Sequence, residues 1–157
     1  MQALTIGQSV PDFTLPASSG EDVSLSQFRG RHIVLYFYPK NMTPACTEEA
    51  CQFRDYSGQF SRLNTSVIGI SPDPVRSHQR FAAKYELPFP LLSDPEHEVA
   101  ELFGVWALKK LYGREYMGIV RSTFLIDKEG RLAKEWRGIR VKGHLEQVLQ
   151  AVKELES

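Results

Sequence analysis

The chain has 157 residues, 42% of them apolar, with 19 acidic and 19 basic side chains, so it can bury one real core and carries no net charge with which to hold a polyanion. No run of like charge occurs and no apolar run reaches bilayer length, which excludes the footprint of a nucleic-acid binder, a membrane-surface binder or a membrane span. The start "MQALTIGQSVPDFTL" lacks a basic segment followed by an apolar block, so the expectation is a cytoplasmic, soluble single domain over 1–157 whose partner is small and neutral.

In chain order, "DFTLPASSGEDVSLSQF" reads as a hairpin with Ser18 to Gly20 at its turn. "RHIVLYFYP" is an almost continuous apolar, β-rich run ended by proline, the pattern of a strand buried on both faces. Phe53, Tyr56, Phe60 and Leu63 then recur at helical spacing, and "TSVIGIS" supplies a second buried strand. Strand, helix and strand in this order predict a parallel βαβ unit.

A further helix is expected at "DPVRSHQRFAAKY", with Asp73 as N-cap and Pro74 at the first helical position, and "DPEHEVAELFG" repeats that signature up to Gly104. The stretch "GVWALKKLYGREYMG" follows neither period. "GIVRSTFLIDKEGRLAKEW" predicts two antiparallel strands around a turn at Lys128 to Gly130. Leu145, Val148, Leu149, Val152 and Leu155 mark one face of a last helix from about His144. This order is that of an α/β, thioredoxin-like fold, with a central mixed sheet flanked by helices and an N-terminal β-hairpin extension.

Both cysteines fall within "PKNMTPACTEEACQ". Thr43 is a good N-cap, Pro44 suits the first helical position, and Cys46 is then the third residue of the helix. Unpaired backbone N–H groups and the helix dipole favour an anion there, so the thiol is expected to ionise readily and act as a nucleophile. Cys51 is five positions on; in an intact helix the two Cα atoms would stand ~8.7 Å and roughly 140° apart. A disulfide needs less than about 7 Å, so bridging this pair requires the first turn to unwind.

Arg121 interrupts the apolar run "GIVRSTFLI", where alternation places it with Ile119, Thr123 and Leu125, and a charge in such company requires a partner. A thiolate or a carboxylate would serve; Glu49, three residues after Cys46, shares its side of the helix and is a supporting candidate. His32, His78, His97 and His144 are expected in surface or capping roles. Trp106, Tyr112, Tyr116 and Met117 are expected in core packing, the other readings being a wall beside the site or a dimer patch. For the cysteines, the competing readings are two small buried hydrophobes and a zinc or copper site, for which the spacing supplies too few ligands. Function classes open to such a pair include a disulfide oxidoreductase or redox sensor, which usually carries Cys-x-x-Cys, and a binding module.

At these residues the sequence resembles a peroxiredoxin. "PKNMTPAC" matches the Pro-x-x-x-Thr-x-x-Cys motif from Pro39 to Cys46, and Arg121 corresponds to the family's strand arginine. The Cys-x-x-x-x-Cys spacing, "YMGIVRSTFLID" and "KGHLEQVL" are similar to the bacterioferritin comigratory protein or peroxiredoxin Q subgroup. The resemblance implies a thiol peroxidase acting on hydrogen peroxide and organic hydroperoxides, with Cys46 peroxidatic, Cys51 resolving through an intramolecular disulfide, and Pro39, Thr43 and Arg121 shaping the peroxide pocket. It also implies no metal and no cofactor, thioredoxin or a glutaredoxin as reductant, and a monomer or weak dimer. Asn41 and Ala45 depart from the Asp and Gly commonest in the subgroup; alanine is less flexible than glycine, so the Ala45 departure bears on how easily the turn unwinds.

Overall fold

The computed structural model describes residues 4–156. These residues form nine strands and five α-helices. The central sheet has the order β5-β4-β3-β8-β9, formed by β3 (His32–Phe37), β4 (Thr65–Ser71), β5 (Leu91–Ser93), β8 (Ser122–Ile126) and β9 (Leu132–Arg137). β3, β4 and β5 are parallel, whereas β8 runs antiparallel to both β3 and β9. The sheet is therefore mixed, as the element order predicts. No helix of the described residues is long and apolar enough to cross a membrane.

Every residue of β3 is buried, because helices cover one face of the sheet and other elements cover the opposite one. Val34, Tyr36 and Tyr38 pack with side chains of α1 (Pro44–Asp55), α2 (Ser57–Arg62), α3 (Val75–Tyr85) and α5 (His144–Glu156). Ile33, Leu35 and Phe37 pack on the other face, with the N-terminal hairpin β1 (Thr14–Pro16) and β2 (Asp22–Ser24) and with α4 (Glu98–Leu102). Period-2 alternation thus feeds two apolar layers at once, and each fully buried large side chain such as Phe53 or Phe81 contributes roughly 1.5–3 kcal/mol.

Several expectations are corrected. The helix read through Leu63 is two helices, separated at Tyr56. α3 starts at Val75 with Pro74 itself as N-cap, so the Asp73 carboxylate is freed to accept from Ser71 Oγ and the Asn41 amide, both at 2.8 Å. α4 starts at Glu98 after His97 in the left-handed region, and Asp94 caps it from a distance by accepting from the amides of Val99 and Ala100. The short strand β5 is an addition to the predicted set.

The unassigned stretch is a second hairpin, β6 (Trp106–Leu111) paired with β7 (Arg114–Ile119). Its turn, Tyr112-Gly113, has positive φ at both positions, as the tight hairpin turns require. Alternation is hidden because both faces meet water: Leu108, Leu111, Tyr116 and Met117 are exposed and Tyr112 is almost fully so. Core packing, expected for Tyr112, Tyr116 and Met117, is wrong for all three, while Trp106 packs against the core and stacks on His97 at 3.5 Å. The surface or capping roles expected of the histidines fail for His32, His78 and His144, which are buried.

Candidate active site

The site forms where β3 ends and α1 begins, beside the start of β8. Thr43 occupies the N-cap position with extended backbone, Pro44 opens the helix, and Cys46 is its third residue and 1% exposed. Thr43 does not cap through its side chain: the hydroxyl donates to the Lys40 carbonyl at 2.9 Å, while the Thr43 carbonyl accepts from the Thr47 amide. Its oxygen lone pairs stay available to accept from a ligand. Pro39 is half-buried at the start of this loop.

Arg121 lies in the break between β7 and β8, not inside a strand. That break changes the alternation, so Ile119 joins the hairpin-side core whereas Leu125 joins the helix-side core. Arg121 consequently does not share a face with Ile119, and it reaches the helix side. There its Nη2 donates to Cys46 Sγ at 3.1 Å and its Nη1 to Glu49 Oε1 at 2.6 Å. One planar guanidinium fork thereby ties together two groups of α1 that are one helical turn apart.

Glu49 is 2% exposed and its other oxygen is buried without a hydrogen-bond partner among the described residues. Burial pushes its carboxyl up to about 7, with the Arg121 charge and hydrogen bond pulling the other way. Near neutral pH, part of the population holds Glu49 protonated and leaves the Arg121 charge to the sulfur. A carboxyl raised in the folded state stabilises the fold below its ordinary range, and that contribution is lost as pH rises through about 7. Glu49→Gln is therefore expected to gain stability relative to the parent chain between pH 5 and 8, read as the difference between their denaturant midpoints; a difference constant with pH would show the raised value to be wrong.

Behind the sulfur, Tyr36 stacks between Tyr38 and Phe53, with ring centroids 5.4 and 4.7 Å away. Gly69 makes room for it: a Cβ there would lie 2.9 Å from Tyr36 Cζ. His144, at the start of α5, is hydrogen-bonded to Thr123 Oγ1 at 2.8 Å, and burial together with the Arg121 charge pulls it down to about 4, so the ring is neutral. Cys51 is half-buried further along α1, and both cysteines are free thiols. The helix is continuous over both, so their sulfurs meet only if it opens.

This arrangement of a thiol at a helix N-terminus, an arginine on the sulfur and a second thiol on the same helix coincides with broad sequence similarity. Residues 6–135 match the AhpC/TSA family. The chain belongs to that family. It is a peroxiredoxin, and thus a peroxidase. Peroxiredoxin Bcp of Bacillus subtilis is 56% identical over 152 residues, covering 97% of each chain. Among solved structures, a PrxQ variant from Xylella fastidiosa superposes with a TM-score of 0.92 at 36% identity, covering 98% of each chain. The bacterioferritin comigratory protein of Xanthomonas campestris, studied for alkyl peroxide reduction, superposes at 0.88 with 37% identity and 92% coverage of each. The fold is accordingly thioredoxin-like.

Of the residues singled out in the sequence, the structure brings Arg121 onto both Cys46 and Glu49, with Thr43 and Pro39 on the loop leading into the helix. Cys51 stands apart. Missed by the sequence reading are Asn41 and His78 as a buried polar pair against the same loop, with Nδ2 of Asn41 3.0 Å from Nδ1 of His78. The signal for Asn41 was present as a departure from the usual Asp, but its partner lies 37 positions away on α3.

Proposed function

We propose that the chain reduces hydrogen peroxide and organic hydroperoxides through Cys46 and Cys51 in a two-thiol cycle. The Cys46 thiolate attacks the nearer peroxide oxygen in line, the O–O bond breaks, and the leaving oxygen takes a proton to depart as water or an alcohol. Cys46 is left as a sulfenic acid. Arg121 stabilises the thiolate and the charge moving to the leaving oxygen; Thr43 accepts from the peroxide O–H, and Pro39 closes the loop side. The observation that carries this reading is the Arg121 fork, which binds the Cys46 sulfur and Glu49 at the start of α1.

The first turns of α1 then unwind, the Cys51 thiol attacks the Cys46 sulfenic sulfur, and water leaves as the S–S bond forms. A short tether gives Cys51 a high effective concentration without a second subunit, which supports action as a monomer. An external dithiol of the thioredoxin class, or a glutaredoxin, restores both thiols by exchange. That cycle suits the cytoplasm, where dithiols are kept reduced. The test is peroxide consumption coupled to thioredoxin, thioredoxin reductase and NADPH. The parent chain should turn over many times. Cys51→Ser should consume one equivalent of peroxide and then stop; sustained turnover by that variant with thioredoxin would remove Cys51 from the cycle.

A further inference from the structure

The turn that carries Cys46 is held from two sides. On one, Arg121 grips Cys46 and Glu49. On the other, the loop before α1 is fastened to α3 and the β4 end by Asn41, which is 4% exposed. Its backbone amide donates to Asp73 Oδ2 at 2.8 Å, and its side-chain oxygen accepts from Tyr38 Oη at 2.7 Å. Its side-chain nitrogen donates to Ser77 Oγ and to His78 Nδ1, each at 3.0 Å. His78 is fully buried, and burial pulls it below the ordinary histidine range, so the neutral ring offers Nδ1 as acceptor. Immediately after Asn41, Met42 is exposed and has φ of 66°, a conformation that costs a non-glycine residue energy unless its surroundings enforce it.

Oxidation affects these two restraints differently. It changes the sulfur that Arg121 holds, from thiolate to sulfenic acid, whereas the Asn41 bonds touch no reacting atom and persist. The bonds to Tyr38 and His78 are shielded from water, so each must be broken or strained before the loop and the first turn can move. We propose that the Asn41–His78 cluster clamps the Cys46 turn closed, making Asn41 and His78 positioning residues that set the rate of unwinding between sulfenic acid and disulfide. This rests on the roles given to Cys46 and Cys51 above. A tighter clamp lengthens the life of the sulfenic acid, which a second peroxide converts to sulfinic acid as it is itself reduced to water or alcohol.

The test follows a single turnover of reduced protein by rapid quench, thiol blocking and intact mass, in the parent, His78→Phe, Asn41→Ala and Ser77→Ala. His78→Phe and Ser77→Ala should each speed disulfide formation about three- to tenfold, the range expected for losing one hydrogen bond of the cluster, and Asn41→Ala, which loses all three of its side-chain bonds, should speed it more. Oxidation of Cys46 by peroxide in His78→Phe should stay within about twofold, since the turn remains mostly closed. The sulfinic fraction at excess peroxide should fall in step with faster resolution. Val152→Ala, a buried cavity on α5, serves as control and should lower the melting temperature without changing either rate. Ser77→Ala, which removes one partner and no buried ring, keeps the test open should a larger substitution unfold the chain. Unchanged resolution rates with normal Cys46 oxidation would overturn the clamp alone; no oxidation of Cys46 in the parent would overturn the two-thiol cycle and the clamp together.

Discussion

Cys46→Ser is expected to abolish peroxide turnover, lowering kcat/KM by at least about 10⁴-fold, because a serine hydroxyl at neutral pH is neither ionised nor a soft nucleophile. The change should leave the fold nearly intact. Oxygen for sulfur is a small volume change at a site already 1% exposed, and the hydroxyl can accept from Arg121 Nη2 in place of the sulfur. A thioredoxin-coupled assay reads the loss, and an unchanged circular dichroism melting curve excludes unfolding as its cause. Retained turnover would place the nucleophile elsewhere.

Arg121→Lys is expected to lower kcat/KM for hydrogen peroxide by about 10²- to 10³-fold, the usual cost of removing one donor aimed at developing charge. A single ammonium cannot reproduce the fork that places one nitrogen on Cys46 and another on Glu49. Arg121→Met goes further, since it strands Glu49 in a buried site without its cation, and should cost about 3 kcal/mol of stability. Adding Glu49→Gln to Arg121→Met should recover much of that stability and none of the activity. Stopped-flow oxidation kinetics beside denaturant titrations separate the two effects; joint recovery of both would make Arg121 a purely structural ion-pair partner.

What the sequence disclosed, and what it did not, follows from the range of the interactions. β3 was legible because two apolar layers demand an unbroken apolar run, and the start of α1 because Thr43 and Pro44 are local signals. The β6–β7 ribbon was not, since its apolar residues point to water as often as to the core. At the candidate site, Cys46 was plain from the helix start that carries it, and Arg121 from a charge set in an apolar run. Its strand assignment failed because the break before β8 obeys a backbone bond, from the Ile139 amide to the Arg121 carbonyl, that no local pattern announces. The buried histidines were misplaced for a similar reason: His32, His78 and His144 find their side-chain partners in Glu156, Asn41 and Thr123, far along the chain.

The most direct measurement is intact mass of reduced protein mixed with one equivalent of hydrogen peroxide and quenched with a thiol-blocking reagent, beside Cys51→Ser. The account predicts that the parent chain loses both blockable thiols as one internal disulfide, while Cys51→Ser gains a single oxygen on Cys46. If both thiols of the parent remain fully blockable, Cys46 does not reduce peroxide and the two-thiol cycle is contradicted.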